Sequence, residues 1–166
     1  MKIPKLKKRI FNENDYNEYL WHDNKIYSMI FDDEKNRSRL KLEIDFIIEW
    51  VYSKENTNIK TWQVPAILFF NEVFDLKINL KWESYVQCEI NNIEKKIRTD
   101  SESTDEGFNG FIINIGPMDN GQIILSNVSK FEMHLIGEPQ LCNGSYFDVK
   151  IRKEIIKKNI DYILDL

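Results

Sequence analysis

A chain of 166 residues, 42% hydrophobic and 13% aromatic, is the size of one domain and can bury a sizeable core, which excludes a disordered tail or linker. Its formal charge of −4, from 27 acids against 23 bases, gives no general attraction for nucleic acid. Two cysteines, Cys88 and Cys142, are too few for a disulfide-built scaffold and read as reduced thiols of a cytoplasmic protein.

The segment 1–20 is basic through Lys2, Lys5, Lys7, Lys8 and Arg9. No apolar run follows those charges, so it does not read as a signal peptide. Nor do aromatics interleave them as on a nucleic-acid surface. "ENDYNEYL" predicts a short turn of helix before Trp21. In "WHD", Trp21 reads as an aromatic anchor where the chain joins the sheet. His22 and Asp23 are expected to bond to backbone. Adjacency does not make them a catalytic base and its orienting acid, because neighbours on a strand point to opposite faces.

Lys25 to Phe31 predicts a strand, turned by "DDEKNRS" into a longer one. From Arg39 to Trp50 the alternation is strict. Leu40, Leu42, Ile44, Phe46, Ile48 and Trp50 share one face; Lys41, Glu43, Asp45, Ile47 and Glu49 share the other. Period two over this length predicts a strand with one buried and one wet face. "VPAILFF" (64–70) is apolar on both faces, as a doubly covered central strand would be. Leu76, Ile78, Leu80 and Trp82 alternate with Lys77, Asn79 and Lys81. Val86, Cys88 and Ile90 do so with Gln87 and Glu89. These phases place Trp50 and Trp82 with interior residues and make Cys88 a buried, inert thiol. Trp62, after the polar run "SKENTNIKT", is expected at a rim.

The acidic stretch "TDSESTDEGFNG" (99–110) reads as a mobile loop. "FIINIG" and "GQIILSN" flank "PMDN" as a hairpin, and "SKFEMHLI" supplies a further strand whose polar phase leaves His134 exposed. Near the end, Ile151, Ile155, Ile156, Ile160, Ile163 and Leu164 form a helical stripe that can dock on a sheet. The expectation is one domain: a basic segment with a short helix (1–20), a β domain (21–150) and a C-terminal helix (151–166). Its fold class is mainly β, an antiparallel sandwich or partly open barrel of about eight strands with the helix packed on it.

Chemistry-bearing constellations are few. Cys88 and Cys142 are far apart, as are His22 and His134, and no CxxC, HxH or HExxH occurs, so no metal is expected. There is no GxSxG elbow and no GxxxxGK[ST] or GxGxxG phosphate loop. Glu43 and Asp45 lie about 7 Å apart on one strand face, a spacing open to an acid pair but expected of any solvated face. No stretch approaches the ~20 apolar residues of a membrane helix.

"LWHDNKI", "LEIDFIIEWVYS" and "VPAILFFNEVFDLKI", with the later "GQIILSNVSKFEMHLIGEP", resemble a group of small bacterial proteins. In that group a W/F-H-D segment precedes a strand ending in an E-W pair, and a P-A-x-L-x-F segment follows. The likeness runs from Trp21 to Pro139. Such proteins are similar to the immunity proteins of polymorphic-toxin systems. The resemblance implies binding to a cognate toxin domain, with no catalysis and no cofactor. On that reading the contacts to a basic partner come from Glu43, Asp45 and Glu49, from Trp62, and from Asp100, Glu102, Asp105 and Glu106. The alternative is a small-molecule binder with a cavity lined by Trp50, Trp62 and Phe70. An enzyme would need His22, Asp23 and Asp45 to converge in one site.

Overall fold

The structure, a computed structural model, describes residues 2–15, 21–34, 37–52, 59–81, 88–97, 109–116 and 121–166. The expected helix at 16–20, the strand start at Val86, Trp82 and the acidic residues Asp100, Glu102, Asp105 and Glu106 lie outside them.

The described chain is mainly β, with antiparallel pairing throughout. The strands are β1 (Ile10–Asn12), β2 (Asn24–Glu34), β3 (Arg37–Val51), β4 (Lys60–Asn71), β5 (Asp75–Leu80), β6 (Glu89–Ile97), β7 (Asn109–Ile115), β8 (Gly121–Val128), β9 (Lys130–Leu135) and β10 (Gln140–Asn143). They form one open sheet in the order β1-β9-β4-β3-β2-β6-β7-β8-β5, with β10 also on β4. The sheet folds over at β2, which pairs with β3 along most of its length and with β6 only at Asn24 and Lys25. We call β1-β9-β4-β3-β2 layer A and β6-β7-β8-β5 layer B.

The apolar phases of both layers meet between them. Leu40, Leu42, Ile44, Leu68, Phe70 and Met133 from layer A pack against Ile90, Ile113, Ile123 and Leu125 from layer B in one cluster. Phe70 and Phe111 approach to 5.3 Å between ring centroids, and Phe111 and Phe131 to 5.6 Å. Rings at these separations give edge and tilted contacts beyond simple area burial. Trp21 fills the end of the core against Phe46 and Phe131, at 6.1 and 5.9 Å. The anchor reading of "WHD" is therefore what the structure places there. The side chain of the following Asn24 bonds to Trp21 O at 2.6 Å and accepts from Ile47 N at 2.7 Å, where a bulge disturbs β3. His22 and Asp23 pair with each other, at 2.8 Å. Asp23 has φ of 63°, so the chain is not extended there and the alternation rule does not apply.

β4 is the doubly covered strand that "VPAILFF" predicts: every residue from Thr61 to Phe70 is buried. Pro65 sits at the changeover between its two partners on one side, β10 up to Gln63 and β9 from Ala66. Its carbonyl accepts from Ile136 N at 2.7 Å on that side. The missing N–H therefore faces a gap and interrupts no ladder. Trp62 belongs to this buried run and is not at a rim.

The outer face of layer A is roofed by two helices, α1 (Val149–Lys158) and α2 (Ile160–Leu164), separated at Asn159. Asp148 caps α1 by accepting from Lys150 N and Ile151 N. Ile155, Ile156, Ile163 and Leu166 pack on Ile67, Phe69 and Ile136. Gly137, at φ 86°, lets the chain pass under α1: a Cβ there would lie 2.7 Å from Ile155 Cγ2. The single predicted helix is thus two, and Ile151, Ile160 and Leu164 of its stripe remain exposed.

Candidate binding face

The acid face of β3 is not a solvated face. Asp45 is 1% exposed and lies under α1. Arg152 Nε donates to Asp45 Oδ1 at 2.8 Å, and Tyr27 Oη donates to Oδ2 at 2.6 Å. The guanidinium stacks 3.7 Å above the Tyr27 ring and comes within 3.9 Å of Glu43. Burial pushes the Asp45 carboxyl above the ordinary carboxylate value; the Tyr27 hydrogen bond and the Arg152 charge oppose that shift without cancelling it. Burial also raises the Tyr27 hydroxyl. This set is a clasp between sheet and helix. Of the three predicted acids only Glu49 is exposed; Glu43 is half-buried.

His134 is likewise covered. Its Nδ1 lies 3.0 Å from Tyr162 Oη of α2, and its ring meets Phe69 edge-on at 5.3 Å. Burial lowers its pKa. Arg39, on the same roofed face, donates to Asp32 at 2.7 Å and to Leu166 O at 2.9 Å.

The residues of the enzyme reading have separate partners. His22, 65% exposed, pairs with Asp23, while Asp45 bonds to Tyr27 and Arg152. A second buried acid, Glu89, stands near His22 and Asp23, and burial, with the Asp23 charge, raises its pKa against a Tyr146 hydrogen bond. Lys25 lies over the rings of Tyr27 and Tyr146, at 5.3 and 5.4 Å. Among the described residues no three His, Cys, Asp or Glu side chains gather as a metal-ligand set. Cys88 and Cys142 are free thiols; burial pushes Cys142 up to about 11, a value that disfavours the reactive thiolate. Cys88 is half-buried and its thiol is also raised.

The outer face of layer B differs. Antiparallel register places Asn79 opposite Gln122, Gln122 opposite Asn114, and Asn114 opposite Asn92. Four carboxamides therefore stand in one row across β5, β8, β7 and β6. Gln122 Nε2 donates to Asn114 Oδ1 at 2.8 Å; Asn114 Nδ2 donates to Asn92 Oδ1 and, at 2.9 Å, to Glu94 Oε1. The donors all run the same way, toward the Glu94 carboxylate. A hollow of about 480 Å³ lies over this row, lined also by Lys81, Asn91 and Gly121. Its lining holds amides, one acid and one base, with no aromatic ring.

Sequence reasoning missed this row. A signal was present: Asn114 and Gln122 interrupt two apolar strands, each four positions from Met118, so a hairpin centred on that residue sets them side by side. Trp62 and Phe70, expected around a ligand cavity, are packed in the interior. No helix among the described residues is long and apolar enough to cross a membrane. No protein-family model matches the chain, and no match is found among curated proteins or solved structures.

Proposed function

We propose that the chain is a non-enzymatic protein-binding module of the immunity type, which neutralises a cognate bacterial toxin domain in the cytoplasm. The observation that supports this reading is the in-register amide row on the outer face of layer B. Amides present donors and acceptors together without a net charge, so they suit the polar groups of a protein surface. Glu94 lies at the acceptor end of the row. The acidic residues Asp100, Glu102, Asp105 and Glu106 belong to the connection between β6 and β7, two strands of the same face. Their charge would speed association with a basic partner. The resemblance to immunity proteins points the same way.

The test is co-expression with the C-terminal domain of the protein encoded by the neighbouring gene. Rescue of growth by the wild-type chain is expected, and loss of rescue by a folded Asn92→Ala, Gln122→Ala double variant. A neighbouring gene without toxicity, or rescue untouched by that variant, would overturn the reading. The hollow itself supports a second reading, a small polar molecule. Saturable calorimetric binding of such a molecule, abolished by the same variant, would favour it over a protein partner.

A further inference from the structure

β5 is the last strand of the sheet. It pairs with β8 on one side, and among the described residues nothing pairs with its other side. An open edge carries a row of N–H and C=O groups ready to pair with another strand. Burial also stops short there. Ile123 and Leu125 of β8 are fully covered, yet their neighbours Ile78 and Leu76, on the same inner face, are 42% and 38% exposed. On the outer face Asp75, Lys77 and Asn79, and Lys81 just beyond, are exposed.

We propose that a second copy of this chain occupies this edge, with the two β5 strands antiparallel about a two-fold axis at Ile78. The proposal is independent of the toxin reading. A two-fold contact that continues the sheet keeps the same face up in both copies, so only residues of like phase can oppose each other. That leaves few registers. With Lys77 on the axis, Lys77 faces its own copy and like charges meet. An axis at Leu76 or Asn79 overlaps only three residues of the six-residue strand. An axis at Ile78 sets Asp75 against Lys81 at both ends, Leu76 against Leu80, Lys77 against Asn79, and Ile78 against itself. Every pair is then apolar with apolar, opposite in charge, or a lysine with an amide.

This register also adds to the hollow over the amide row. Asn79 and Lys81 line that hollow. Lys77 and Asp75 of the second copy would stand opposite them, so the dimer would carry two hollows meeting at the axis. One short strand from each copy lies at the small end of specific interfaces, so the dimer is concentration-dependent.

The experiment is sedimentation velocity on the full chain from micromolar to millimolar concentration, with circular dichroism to confirm that each variant is folded. Asp75→Lys and Lys81→Asp should each weaken the dimer tenfold or more, and the two together should restore it. Variants with one added cysteine fix the register: opposed strand residues have Cα atoms about 4.5–5.5 Å apart, within disulfide range. Ile78→Cys should cross-link under mild oxidant, whereas Lys77→Cys, Asn79→Cys and the wild-type chain should not. A monomer at millimolar concentration overturns the proposal. So does a dimer indifferent to the charge swap, or one cross-linked through position 77 or 79. Growth rescue reads toxin binding and sedimentation reads self-association, so the two proposals fail separately.

Discussion

Layers A and B are built from the same alternation of apolar and polar residues, and their outer faces end differently. On layer A the polar phase of β3 is shut beneath α1 and α2, and Asp45 takes its counter-charge from Arg152. On layer B the polar phase keeps Asn79, Asn92 and Glu94 exposed, and Gln122, Asn114 and Asn92 bond sideways to one another. Period two identifies two faces of a strand; it does not say what will cover them. A buried carboxylate survives only where a partner arrives with geometry good enough to offset desolvation. The amide row needs no such partner, because Gln122, Asn114 and Asn92 bond to one another.

The sharpest break in this comparison comes from the clasp. Arg152→Ala leaves Asp45 buried without its cation and should cost about 3–5 kcal/mol in urea denaturation. The loss should shrink on acidification, because a protonated Asp45 no longer needs the guanidinium, and Asp45→Asn on top of Arg152→Ala should recover part of it. Trp21→Ala, in the core both layers share, should cost about 3–5 kcal/mol, whereas the exposed His22→Ala should stay within ~0.5 kcal/mol. On layer B, Asn92→Ala or Gln122→Ala should cost about 1 kcal/mol or less, since water replaces what the amide gave. If these substitutions destabilise as much as Arg152→Ala, the face of layer B is covered and the contrast fails.

The smallest effect concerns pH. His134 is held neutral beneath α2, with its folded pKa below the ordinary histidine value. Its contribution is therefore present above about pH 6.5 and is lost as the pH falls through the folded pKa, where the unfolded chain takes up the proton more readily. A thermal melt series should show the midpoint falling on that acid side, and His134→Phe should flatten that part of the profile. A midpoint that rises on acidification through this range in the wild-type chain alone would contradict the buried placement.

The strands were largely legible. β2, β3, β4, the β7–β8 hairpin and β9 follow from alternation, and the double burial of β4 from "VPAILFF". What was not legible depended on distant residues. Asp45 reads as wet until Arg152, 107 positions away, lands beside it. His134 reads as exposed until Tyr162 reaches it. Trp62 follows a polar run, yet β10 and β3 flank it. β5 alternates as regularly as β3, and nothing in that alternation tells that it is the last strand of the sheet. The candidate site was the least legible part: its amides matter through their register across four strands, which no single segment encodes.

The double covering of β4 has a consequence for synthesis. One face of that strand waits for layer B, and the other, with Ile67 and Phe69, waits for α1 and α2 at the far end of the chain. At roughly 5–20 residues per second, a ribosome leaves that second face bare for on the order of ten seconds after β4 emerges. The nascent chain thus carries an apolar ribbon from Val64 to Phe70 with no roof over it. Its yield in a cell should depend on whatever shields such ribbons at the exit tunnel.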